Sequence, residues 1–320
     1  MTSIMTNASA MTALKTLNAT NKALETTQSR IATGYRVAQA SDNAAYWSIA
    51  TTMRSDNKAL STVKDALGLG AAKVDTAYTG VNAAIDVVDE IKAKLVAARE
   101  PGVDRTKIQA EITQLQGQLT SNASAASFSG ENWLSVDSSA AGYNATKTIV
   151  ASFTRSSSNA VSVGTISVNT ASTKLFDSAT DAAAAGTGIL DGRYDVTTGA
   201  LQASQASGGF TVATLSISAL TNSAADLTTL ENYIKGVDDA ISKMTTAASD
   251  LGAAKKRIDI QSTFVSNLMD TIDRGVGTLV DADMNKESTR LQALQVQQQL
   301  GIQALSIANS NSQSVLSLFR

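Results

Sequence analysis

The side chains best equipped for chemistry in this sequence are the carboxylates of Asp281 and Asp283, the adjacent Asp42 and Asn43, the arginines Arg30, Arg36 and Arg54, and the hydroxyls of Ser156 to Ser158. Asp281 and Asp283 offer the oxygen ligands a divalent cation needs. At i, i+2 on a helix, however, they point to different faces, and no third ligand is grouped with them. Asp42 and Asn43 suit a helix cap or a hydrogen-bonding contact between chains better than acid catalysis. The arginines can hold carboxylates and carbonyls through their fork of donors. The serines suit either O-linked glycans or an unmodified loop. The chain has neither cysteine nor histidine, which removes thiol nucleophiles, imidazole bases and the usual zinc ligands. No catalytic, cofactor or metal site is expected, and so no enzyme.

Composition points the same way. The 320 residues are 43% hydrophobic, enough for real cores, but aromatics are only 4% and there is one proline, so Ala, Leu, Ile and Val supply the bulk. A net charge of −2 gives no electrostatic footprint for nucleic acid or anionic lipid. Met1 to Met11 carries neither Lys nor Arg and no continuous apolar run, so a Sec signal peptide is not expected. Leu291 to Phe319 has no charged residue, yet Gln292, Gln295, Gln297, Gln298, Gln299 and Gln303 make it too polar for lipid. No membrane span is expected.

The elements that must position these residues are long helices. Leu60, Val63, Leu67, Gly70, Val74, Ala77, Val81, Ala84, Val88, Ile91 and Leu95 alternate steps of three and four, a coiled-coil seam that a period of two cannot produce. A second seam runs Leu227, Leu230, Ile234, Val237, Ile241, Met244, Ala248, Leu251, Ile258, Val265, Met269, Ile272, Val276, Leu279. Two matched helices distant in sequence are expected to pair as a rod. Each chain end adds a neutral amphipathic helix. The first has Ala10, Leu17, Leu24 and Ile31 at spacing seven, with Ile4, Met11 and Leu14 beside them; the last has Leu291, Leu294, Gly301, Leu305, Ala308, Val315 and Phe319. Breaks are expected at Thr33 to Tyr35 and near Asp281 to Asp283, with Ser41 or Asp42 capping the helix that follows the first break. The first seam stops at Glu100, Pro101 and Gly102, and a shorter helix then uses Ile108, Ile112, Leu115 and Leu119. The middle changes character. Val161, Val163, Ile166 and Val168, and then Phe210, Val212, Leu215 and Ile217, alternate like half-buried strands, while Ala182 to Gly188 and Ser204 to Gly209 read as loops. The fold expected is mainly α, with a small β-containing insertion that packs on itself.

Ser29 to Val37 (Ser-Arg-Ile-Ala-Thr-Gly-Tyr-Arg-Val), followed by Ala40, Ser41, Asp42, Asn43, Ala44 and Ala45, resembles the N-terminal signature of bacterial flagellins. Leu251, Gly252, Ala253 and Arg257, then Asp281, Ala282, Asp283 and Glu287, then Gln295 to Gln303 and the closing Val315 to Phe319 look like the family's C-terminal pattern. Phe128, Ser129, Gly130, Trp133 and Leu134 resemble its Phe-Asn-Gly element, whereas Tyr46 and Trp47 stand where the family usually has small or aliphatic residues. The resemblance implies a secreted, extracellular structural subunit of the bacterial flagellum that self-assembles into the filament for swimming motility, exported without a cleavable signal peptide. Residues 1–40 and 284–320 would form the inner filament core, 41–134 and 222–283 a helical rod, and 135–221 a variable surface insertion. Its partners would be copies of itself and paralogous flagellins, an export chaperone and a cap, but neither nucleic acid nor membrane. The assembly interface it implies includes Leu17, Leu24, Ile31, Arg30, Arg36, Asp42, Asn43, Asp281, Asp283, Leu291, Leu294, Leu305, Val315 and Phe319. A hook–filament junction protein shares the terminal helices, but the Asp-Ala-Asp match and the uncharged C-terminus favour flagellin. A cytoplasmic signalling coiled coil would carry charge to its ends and would lack a β insertion.

Overall fold

The structure, a computed structural model, describes residues 7–179, 187–202 and 209–317, with side chains described as far as residue 310. Ile4, Phe319 and most of the two expected loops, 182–186 and 204–208, lie outside the described residues. The fold is mainly α. Helices α1 (Ala8–Thr33), α2 (Ala44–Ala97) and α3 (Arg105–Ala125) precede a strand-containing middle, and α4 (Ala224–Val280) and α5 (Met284–Ser317) follow it. Each helix start has a side-chain oxygen satisfying amides that the helix leaves free. Asn7 caps α1 through Ala10 N, Asp104 caps α3 through Thr106 N and Lys107 N, and Ser223 caps α4 through Asp226 N. The expected cap at Ser41 or Asp42 falls instead on Asn43, whose Oδ1 accepts from Tyr46 N. Asp42 is used one turn earlier, accepting from Ala38 N and Gln39 N to fold the preceding loop.

The chain divides into two compact units, Ala59–Asn267 and the pair of segments Met1–Lys58 and Leu268–Arg320. Within Ala59–Asn267 every member of the first seam, Leu60 to Leu95, is buried. Its partner is α4, and the contacts Lys64 to Ser266, Lys255 to Asp75, Tyr78 to Gly252, Lys92 to Asp238 and Arg99 to Glu231 all fall in one antiparallel register. Coiled-coil seams pair in this way because the apolar stripe leaves water only when it faces another. Pro101 and Gly102, the latter at φ 90°, turn the chain into α3, which buries Ile112 and Leu119.

The strands of the middle are β1 (Ser127–Phe128), β2 (Glu131–Asn132), β3 (Ser135–Val136), β4 (Thr146–Arg155), β5 (Val161–Asn169), β6 (Phe176–Asp177), β7 (Tyr194–Asp195) and β8 (Gly209–Phe210). They pair only two at a time: β1 with β2, β4 with β5 and β7 with β8 antiparallel, β3 with β6 parallel. Two sequence expectations need correction. The alternation from Phe210 to Ile217 is not a strand beyond Phe210, although Val212, Leu215 and Ile217 are buried. Glutamines of α3 replace the missing ladder: Gln116 Nε2 donates to Val212 O and Leu215 O, and Gln109 Oε1 accepts from Ile217 N. In β5 only Ile166 and Val168 are buried; Val161 and Val163 lie past the irregularity at Val150 to Ser152, on the exposed distal part of the hairpin.

The middle also does more than pack on itself. Ile149 of β4 occupies the space a Cβ at Gly70 would need, which is why the α2 seam carries a glycine there, and Phe210 does the same at Gly236 of α4. Gln261 of α4 donates to Ala151 O, and Asn232 to Val196 O. These bonds satisfy carbonyls that two-stranded ladders leave unpaired. Glu131 accepts from Lys73 and Lys147. Burial opposes its ionisation, but the bonds from Lys147 and Lys73 outweigh that and hold the carboxyl at about 2. At Asp177, fully enclosed, burial likewise opposes charge. Lys174, Thr187 and Ser138 overcome it and keep the group well below the usual carboxylate range. Burial instead pushes Asp191 up.

Candidate assembly surface

In the second unit, α1 and α5 form an antiparallel pair. Asn7 Nδ2 donates to Ala308 O at 3.0 Å, Leu17 packs on Gly301, Gln298 Nε2 donates to Asn21 Oδ1 at 2.8 Å, and Arg30 meets Glu287 at 3.2 Å. Leu17, Leu24 and Ile31 of α1 and Leu291, Leu294 and Leu305 of α5 are all partly or fully buried in this pair. The chain itself thus occupies the seam expected at these positions. Val315 lies in α5 beyond the described side chains.

The turns joining these helices to α2 and α4 are tied to each other. Gly34, at φ 75°, ends α1 and donates to Arg30 O. Tyr35 and Asp281 form an antiparallel bridge, Ala282 N donates to Gly34 O, and Arg36 N and Val37 N share Val280 O. Below this clasp Val37, Ala50, Val276 and Val280 make a small core with Met53, Ile272 and Leu279 against it. Asp283 Oδ1 accepts from Asn285 N and Lys286 N, so it caps α5. Among the described residues no group of three potential ligands could hold a metal. Each of the three arginines finds a partner. Arg30 binds Glu287, Arg36 Nη2 donates to Leu279 O with its guanidinium 6.0 Å from the Tyr46 ring, and Arg54 lies 4.9 Å from the Tyr35 ring. Tyr46 and Trp47 are exposed.

The sequence reading missed the opposite side of the pair. Val296, Leu300 and Ile307, at steps of four and seven, form an apolar stripe of α5 turned away from its seam; Leu300 is 58% and Ile307 67% exposed. Ile302 is exposed on another side of α5, and Met11 and Leu14 lie open on α1. The signal was present in the sequence: off-seam apolar residues on a helix with no charge from Leu291 onward have no role in a two-helix pair. Small side chains, among them Ala8, Thr12, Ala13, Gly301, Ala304 and Ala308, line a shallow groove of about 580 Å³ beside them.

The chain matches the bacterial flagellin N-terminal helical region over residues 4–139 and the C-terminal helical region over residues 234–319. It is 56% identical to flagellin C of Rhizobium meliloti (strain 1021) and 49% identical to a flagellin of Brucella melitensis biotype 1, in both cases over the full length of the two chains. It is 50% identical to flagellin A of the same Rhizobium strain, again over the whole of each chain, in an alignment of 402 positions that gives that relative extra length. With both terminal regions present in order and full-length relatives at about half identity, the chain belongs to the bacterial flagellins, the structural subunits of the flagellar filament.

Proposed function

We propose that the outward faces of α1 and α5 are where this flagellin packs against further copies of itself, so that the α1–α5 pair forms the filament core. The observation that carries this is the apolar stripe Val296, Leu300 and Ile307 on a helix stretch with no charge. A monomer gains nothing from it, whereas many neighbours can cover such a face without the cost of burying Lys or Glu. In this reading residues 1–40 and 284–320 are the core, 41–134 and 222–283 the helical rod, and 135–221 the surface insertion. The clasp residues Arg30, Arg36, Asp42, Asn43, Asp281 and Asp283 fix how the core helices leave the rod. Leu17, Leu24, Ile31, Leu291, Leu294 and Leu305 keep the pair together, and Val315 and Phe319 extend it.

The subunit acts structurally and without catalysis. Relatives named flagellin A, B, C and D occur in one Rhizobium meliloti strain, which supports co-assembly with paralogues. An export chaperone, a filament cap, and extracellular delivery without a cleavable signal peptide complete the proposal. Electron microscopy of concentrated protein tests it: the native chain forms long uniform filaments, and L300E and I307E, which put a carboxylate into the stripe, do not. Filaments from either variant as readily as from the native chain would overturn the assignment of the core.

A further inference from the structure

We infer that the cleft between α2 and the β4–β5 hairpin binds a small organic monocarboxylate, its charged end on Lys73 and Lys147 and its apolar body against Leu69, Trp133 and Ile149. The cleft has a volume of about 370 Å³ and lies wholly within Ala59–Asn267, so it does not depend on how the core assembles. Three elements build it. Leu69 and Lys73 stand one turn apart on α2. Lys147 and Ile149, two residues apart, share the face of β4 turned to that helix, where Ile149 fills the space beside Gly70. Strand β2 adds Glu131, and Trp133 follows it.

The charges in the cleft do not balance. Lys73 lies 2.6 Å from Glu131 Oε2 and Lys147 2.8 Å from Oε1, so two ammonium groups share one carboxylate and each keeps donors to spare. Neither has a further hydrogen bond or ion pair among the described residues. Lys147 also stands 6.0 Å from the Tyr143 ring, a contact that brings no countercharge. Nearby carboxylates are engaged or remote: Asp75 is bonded to Lys255, and Asp65 precedes Lys73 by two turns, about 12 Å at 1.5 Å per residue. One surplus positive charge calls for a monoanion, whereas a phosphate dianion would set its second charge against Glu131. The remaining wall is apolar. Leu69 is 50% exposed, Ile149 is buried, and Trp133 is buried with an indole N–H that has no acceptor. An open leucine beside an indole ring and unspent cation donors suits a ligand with a hydrophobic body and one charged end. The volume is small for a ligand site, so it admits a compact ring rather than a long chain.

The test titrates the full-length monomer with benzoate at low salt, where such pairing is least screened, following Trp133 fluorescence in a Trp47→Phe background and checking the stoichiometry by calorimetry. Benzoate should bind one to one. Benzamide, the same ring without the charge, and phenyl phosphate, the same ring with a dianion, should each bind at least about fivefold more weakly. Lys73→Gln should weaken benzoate by a similar factor. Leu69→Glu, at an exposed position where the fold should persist, should abolish binding by setting a carboxylate on the rim. Glu131→Gln should act in the opposite direction and tighten benzoate by at least about fivefold, because both ammonium groups are then unopposed. A loss of fold cannot mimic that gain. No saturable binding of benzoate, equal or tighter binding of benzamide or phenyl phosphate, native affinity in Lys73→Gln or Leu69→Glu, or a Glu131→Gln variant that binds no better would overturn the inference.

Discussion

The two units stabilise themselves by different means. Ala59–Asn267 closes a coiled-coil seam with no exposed member and surrounds it with cross-helix ion pairs, with buried carboxylates in the strand-containing middle. The α1–α5 pair has a thin seam, mostly half-buried, and leaves Met11, Leu14, Val296, Leu300, Ile302 and Ile307 exposed. Two helices cannot bury enough area to offset the entropy of ordering them with much to spare. The difference is that one unit encloses its apolar seam whereas the other leaves apolar side chains open, the face that the proposed core reading assigns to neighbouring copies.

Truncating the seams should break the symmetry most visibly. Leu67→Ala and Leu95→Ala, both fully buried, are expected to cost about 2–5 kcal/mol each in thermal or denaturant unfolding of the monomer. Leu305→Ala, half-buried, should cost roughly 1 kcal/mol there and show its main effect in assembly. Equal costs in the monomer would erase the distinction.

The clasp separates two kinds of loss. Arg30→Ala leaves Glu287 buried with Oε2 already unpartnered, so local stability by amide exchange at Ser29 to Gly34 should fall by about 2 kcal/mol. Glu287→Gln, which removes the charge itself, should cost about half that. The reverse order would mean that Glu287 is not the burdened partner.

Acid should act on the other unit. The folded carboxyls of Glu131 and Asp177 titrate below their unfolded values. Their stabilisation is therefore full only above the unfolded carboxylate range, from about pH 5 upward, and is lost as pH falls, for Glu131 through about 2. Trp133, buried beside β2, reports this: its fluorescence in a Trp47→Phe background should change between about pH 5 and pH 2, with a smaller change in Glu131→Gln. The smallest effect concerns the turn between β1 and β2, where Ser129 sits at φ 53° before Gly130 at 78°. Ser129→Gly should raise stability by about 0.5 kcal/mol, read as a higher midpoint in urea.

Much of this was legible in the sequence where a residue's environment repeats with the helix. Leu60 to Leu95 could be read residue by residue because each step of three or four lands on the same partner, and the breaks at Gly34 and at Asp281 to Asp283 follow from turn and cap chemistry. Phe210 to Ile217 was misread because alternation records burial on one side and not what bonds the backbone; here Gln109 and Gln116, a hundred residues earlier, do so. Thr146–Arg155 gave little strand signal, since polar Thr, Lys and Ser separate Ile149, Ala151 and Phe153. Of the candidate surface, the clasp residues and the α1–α5 seam were readable, but the outward stripe at Val296, Leu300 and Ile307 was not, because a single seam was taken to be all a helix can bury.

Amide exchange followed through polymerisation tests the central claim most directly. In the monomer, residues 8–33 and 284–317 should exchange early while the seams within Ala59–Asn267 stay protected; in the filament, both should be protected. Strong protection of the α1–α5 pair in the monomer, or no gain there on polymerisation, would contradict the account.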